Sequence, residues 1–173
     1  MTMDNLWIVV ASQSGVRIFR RNRPADGIEL VEKMDHPVGR LRDHDINTDK
    51  PGRQFTPTPG TIGRGPQGTG HNVRRHGFSP RVMPHEMETV RFTQKIAHFL
   101  ETARAQNRYN GLVLIADPHE LGLLKESLDK KTGEKVIGTL NKNLARVRDI
   151  EIEDQIYDVL MDADQKLILQ RSA

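Results

Sequence analysis

The chain has 173 residues, 36% of them apolar and 28% charged, with a net charge of +3 and no cysteine. That length suits one domain with one sizeable core, and the missing cysteine rules out disulfides, thiolate metal sites and a cysteine nucleophile. Met1 to Asn5 carry no basic residue and the apolar run Leu6–Ala11 is short, so neither a signal peptide nor a membrane span is expected and the chain is expected in the cytoplasm.

In chain order, Leu6-Trp7-Ile8-Val9-Val10-Ala11 reads as a central strand buried on both faces. Gln13-Ser14-Gly15 is a turn signal, after which Val16 and Ile18 fall on one face of a second strand and Arg17 on the other. Asn22 to Gly27, with Pro24 and Asp26-Gly27, marks the next turn. Ile28 to Met34 begins in alternation, and the offset at Val31 predicts a bulge. Three strands on short turns are expected to be antiparallel.

The character of the chain then changes. Residues 36–85 hold eight of fourteen glycines, seven of nine prolines and five of seven histidines. So long a connection in a compact domain is either functional or disordered, and both readings stay open. From Lys50 to His85 there are six basic residues (Lys50, Arg53, Arg64, Arg74, Arg75 and Arg81) and no acid. The segment 36–85 carries +5 and the remainder −2. A concentrated positive field of this kind attracts phosphate-rich partners, whereas a solvated loop without a partner is the plainer reading.

A helix is predicted next, with Pro84 in its first turn and an apolar face of Phe92, Ile96, Phe99 and Ala103. Asn110-Gly111 precedes a second fully apolar strand, Leu112–Ala116. Asp117-Pro118-His119-Glu120 has the form of an N-cap, a proline at the first helical position and a glutamate at the third, opening a short helix striped by Leu121, Leu124 and Leu128. Lys130 to Glu134 reads as a polar turn, Lys135 to Leu140 as a strand, and Ile152, Ile156, Val159 and Leu160 as the face of a last helix. The tail after Asp164 reads either way. The order β-β-β, loop, α-β-α-β-α implies one domain over 1–173, with a mixed five-stranded sheet of ribonuclease-H-like topology and loop 36–85 inserted between the third strand and the first helix.

Several chemistries are disfavoured. A two-metal nuclease of this topology needs an acid in the middle of its first strand, where this chain has Ile8, Val9 and Val10. Gly63-Arg64-Gly65-Pro66-Gln67-Gly68 satisfies G-x-G-x-x-G, yet no strand precedes it and no apolar helix follows, so no dinucleotide cofactor is expected. His71, His76 and His85, and Asp43-His44-Asp45, lack metal-ligand spacing, and no metal is expected. No serine stands in a G-x-S-x-G elbow. The loop glycines instead let backbone N–H groups approach a partner closely, and the arginines offer guanidinium forks to phosphate. With Phe55 and Phe78 its only aromatics, the loop is suited to electrostatic, salt-sensitive binding rather than base readout.

The residues carry a family resemblance. Trp7-Ile8-Val9-Val10-Ala11 with Arg17-Ile18-Phe19, the Thr48-Asp49-Lys50-Pro51-Gly52-Arg53 motif, Leu112 to Leu124 with Pro118 and Leu121-Gly122-Leu123-Leu124, and Lys142-Asn143-Leu144 resemble the bacterial host attachment protein family. That family is in turn similar to the middle domain of archaeal and eukaryotic peptide-chain release factors. The likeness implies the ribonuclease-H-like fold and places Asp49, Pro51, Gly52 and Arg53 in a family motif. It also sets Gly65-Pro66-Gln67 where release factors carry Gly-Gly-Gln, with Gly65 and Gln67 as the catalytic candidates for peptidyl-tRNA ester hydrolysis. Pro66 replaces the second glycine, fixes φ near −65° and restricts Gly65. The leading expectation is an RNA- or ribosome-associated domain without catalysis of its own, with ribosome, tRNA or rRNA as partner and no membrane. Its alternatives are ribosome rescue by ester hydrolysis, and a protein-interaction module that affects host attachment indirectly. Oligomeric state is left open.

Overall fold

The computed structural model describes residues 5–23, 25–40 and 84–172. The expected loop residues 41–83 lie outside these, and with them the proposed insertion as a structural entity.

Strands β1 (Leu6–Ser12), β2 (Gly15–Arg21) and β3 (Glu29–Asp35) form an antiparallel meander, as the short turns predict. Gly15 takes the first turn at φ +152°, where a Cβ would stand 2.5 Å from the Met34 carbonyl oxygen. The pairing of β2 with β3 slips between Ile18 and Phe19, which face Glu32 and Leu30, so Val31 is the extra residue of a bulge. Its offset in the sequence pattern has this cause. A 3-10 turn over Pro37–Arg40 follows.

Helix α1 (Pro84–Ala105) opens on its proline as anticipated. Strand β4 (Gly111–Ala116) pairs parallel to β1. Helix α2 (Pro118–Ser127) starts at an Asp117 cap whose side chain accepts from the Glu120 N–H at 3.0 Å. Residues read as a polar turn form a one-turn helix instead, α3 (Lys130–Gly133), because Asp129 caps it by accepting from the Thr132 N–H at 2.9 Å. Strand β5 (Val136–Asn141) pairs parallel to β4. Helix α4 (Asp149–Ser172) runs through the ambiguous tail, since Leu167 extends the buried line of Ile152, Ile156, Leu160 and Ala163.

The result is a mixed five-stranded sheet in the order β3-β2-β1-β4-β5. Alternation along β1 and β4 divides the core in two. Trp7, Val9, Leu112 and Leu114 meet Ile96, Leu100, Leu121 and Leu124 of α1 and α2. Leu6, Ile8, Val113 and Ile115 meet Ile152, Ile156 and Leu160 of α4. Trp7 lies against Tyr109, with centroids 5.1 Å apart, and under the Arg108 guanidinium.

Two arginines of β2 point to the α4 side, as the alternation predicted for Arg17. Arg17 donates to the carbonyls of Val147 and Leu144 and to Asp149, tying down the segment between β5 and α4. Arg21 pairs with Asp164 of α4 at 3.0 Å, with side chains only 5% and 14% exposed. At the far edge, the pairing of β5 slips between Leu112 and Val113, leaving Ile137 as an extra residue whose carbonyl accepts from Lys166 Nζ at 2.7 Å.

Candidate functional site

Strands β1 and β4 are parallel neighbours whose chains leave in opposite directions, β1 turning back into β2 and β4 crossing to β5. In open α/β sheets the carboxyl end of such a pair is where ligands are bound. Here Ala11, Ser12 and Gln13 at the end of β1, His36 after β3, Thr89, Phe92, Thr93 and Ile96 of α1, and Glu120 and Leu124 of α2 surround a narrow crevice of about 10 Å³. That is room for one water molecule.

Two ionisable side chains lie in its wall. The His36 N–H donates to the Ser14 carbonyl at 2.9 Å, and its ring Nδ1 bonds the Gln13 carbonyl at 3.0 Å. A carbonyl only accepts, so Nδ1 carries a proton towards it and Nε2 is the ring nitrogen turned to the crevice. The ring stacks on Phe92, with centroids 4.3 Å apart and planes 2° from parallel. Glu120 is buried beside Asp117, and desolvation first, then the Asp117 charge and a hydrogen bond to it, push its pKa up to about 7. Among the described residues, His36 Nε2 and Glu120 Oε2 are buried without hydrogen-bond partners. The surrounding hydroxyls are occupied: Ser12 bonds Ser14 and the Gly15 carbonyl, and Thr93 donates to the Thr89 carbonyl. The crevice therefore presents one imidazole nitrogen and one carboxyl that titrates near neutrality, groups able to hold a water between them.

The same residues form the root of the 41–83 segment. The chain leaves it through Pro37–Arg40 and returns at Pro84, and the His36–Phe92 stack joins the outgoing and incoming sides. Gly39 is packed so closely on this root that a Cβ would meet the Gln13 carbonyl oxygen at 1.9 Å and His36 Nδ1 at 2.5 Å. Gly39→Ala is therefore expected to break the His36–Gln13 bond and cost about 1–3 kcal/mol, read as a lower urea midpoint by the fluorescence of Trp7. Gly122→Ala is the control of opposite sign: an exposed position in α2 with nothing within 4 Å of its Cβ, it should gain about 0.5–1 kcal/mol.

The site residues expected from the sequence, Asp49, Lys50, Pro51, Gly52, Arg53, Arg64, Gly65, Gln67, Arg74, Arg75 and Arg81, all lie outside the described residues. So do His44, His71 and His76. His36 and Glu120 were not anticipated; Glu120 read only as the third residue of a capped helix. Its signal was the cap's position at the end of a fully apolar strand, which buries the first turn that follows. Among the described residues, no group of three or more His, Asp or Glu side chains could hold a metal ion, and no helix is long and apolar enough to cross a membrane.

A family model described as "Protein required for attachment to host cells" matches residues 7–156. Among solved structures, the chain is similar to one described as "Archaeal protein", with a TM-score of 0.40 and 10% identity over 98% of this chain and 40% of that one. It thus spans about two-fifths of that chain's length. No curated protein matches.

Proposed function

From the premise that this chain belongs to the family of proteins required for attachment to host cells, we propose that it serves attachment indirectly, from the cytoplasm, as an RNA- or ribosome-associated domain. One observation carries the reading: between Lys50 and His85 six Lys and Arg residues stand without a single acid. Such a segment releases counterions when it meets a phosphate backbone, and that release drives binding. The placement of its root supports the reading, because both flanks of the segment converge on the carboxyl end of β1 and β4.

The meander followed by two parallel strands agrees with the ribonuclease-H-like topology of release-factor middle domains, and we include that ancestry in the proposal. Gly65-Pro66-Gln67 then stands ahead of α1 where the release-factor loop stands. Pro66 fixes the backbone where that loop needs a glycine, so the function proposed is binding without hydrolysis.

Filter binding of ribosomes and tRNA over a salt series tests this. If six phosphates are neutralised, affinity falls by about a thousandfold between 50 and 200 mM salt, and Arg74→Glu with Arg75→Glu weakens it further at every salt concentration. Absent binding at low salt, or affinity indifferent to salt, overturns the reading.

A further inference from the structure

Helix α4 buries one face against the sheet and leaves a second apolar line in solvent. Ile150, Tyr157, Met161 and Ile168 are 83%, 56%, 42% and 58% exposed. They follow one another at steps of seven, four and seven residues, the spacing of a seam along one side of a helix. Leu169, also exposed, lies about 100° round the helix and is not part of this line.

The line is a palindrome. Its four members are symmetric about position 159, Ile150 with Ile168 and Tyr157 with Met161. A two-fold interface requires this property, because each patch must be complementary to itself when turned around. Laid antiparallel on a second α4, Ile150 of one copy comes level with Ile168 of the other, and Tyr157 with Met161.

Charge selects the same orientation. Residues 149–160 hold five acids (Asp149, Glu151, Glu153, Asp154 and Asp158) and no base, whereas 161–172 hold two acids and two bases and are neutral. A parallel pair would set the two acidic halves side by side. The antiparallel pair sets each against a neutral half.

We propose that α4 is a homodimerisation surface, pairing antiparallel with the α4 of a second copy about a two-fold axis level with Val159. The patch is small, which places the dimer among weak, concentration-dependent associations. It lies on the opposite face of the sheet from α1 and α2 and owes nothing to nucleic-acid binding.

The chain has no cysteine, so introduced thiols report the geometry cleanly. Ile150→Cys and Ile168→Cys proteins are prepared separately, then mixed and oxidised, with circular dichroism confirming that each is folded. Disulfide dimers are expected in the mixture and not in either protein alone, since Ile150 and its symmetry mate lie about 27 Å apart along the axis. Sedimentation of the unsubstituted chain should show dimer growing with concentration, and Tyr157→Glu should shift it to monomer at least tenfold. Cross-linking of Ile150→Cys to itself, a monomer at all concentrations, or a dimer indifferent to Tyr157→Glu each overturns the proposal.

Discussion

Replacing Asp164 with alanine is expected to destabilise the fold by about 3–5 kcal/mol, the cost typical of breaking a buried ion pair. Arg21 extends from β2 under α4 with 5% of its side chain exposed, and Asp164 faces it at 3.0 Å. An arginine cannot escape by losing its proton, because its pKa lies far above any folding condition. Truncating the aspartate therefore removes the carboxylate that faces this cation in a low-dielectric site. The loss is a large share of the 5–15 kcal/mol that holds a typical domain, and for this length it lowers Tm by roughly 10 °C. Calorimetry of Asp164→Ala beside Arg21→Met/Asp164→Leu separates the cost of breaking the pair from its net worth. The double variant should recover most of the loss, because an apolar pair of similar volume needs no partner. A single-variant cost below 1 kcal/mol would mean that the pair behaves as an ordinary surface bridge.

Glu120→Gln should make the protein more stable at pH 8 and leave it almost unchanged at pH 4. The carboxyl has a pKa of about 7 in the fold against its ordinary 4.5, mainly because burial penalises the charged form, with Asp117 adding to the shift. Below 4.5 both folded and unfolded chains hold the proton and Glu120 imposes no penalty. Between 4.5 and 7 the unfolded chain ionises first, so it binds fewer protons than the native state and stability falls as pH rises. Above 7 the native carboxyl ionises too and the loss levels off, on the order of 3 kcal/mol in all. Glutamine keeps the shape and cannot ionise, so its stability should lack this descent. Thermal unfolding from pH 4 to 9 measures both proteins, and coincident profiles would exclude Glu120 as the titrating group.

Period and punctuation made most of the scaffold legible. The apolar runs of β1 and β4, the Val31 bulge, the proline that opens α1 and the Asp117 cap are all local signals, and local backbone physics decides them. Helix α3 escaped because Lys130-Lys131-Thr132-Gly133 has no apolar stripe; its single turn rests on Asp129 and on Arg104, which donates to the Thr132 hydroxyl at 3.1 Å. The end of α4 escaped because Leu167-Ile168-Leu169 is a contiguous apolar run, and only packing chooses Leu167 as the buried member. The crevice was the least legible part. His36 and Glu120 stand 84 positions apart with no motif spacing between them, and nothing short of the strand order brings them together.

The two margins of the sheet have a consequence for how the protein behaves in a crowded solution. An open sheet invites any passing extended polypeptide to add a rung to its ladder. On the β5 side, the irregularity at Ile137 breaks the regular row of backbone groups, and Lys166 occupies the carbonyl that it frees. On the β3 side, Glu29, Glu32, Lys33 and Asp35 stud a short strand with charge, three of the four acidic. Neither margin offers the flat apolar template from which fibrils grow, so self-association through stray strand addition is discouraged at both ends.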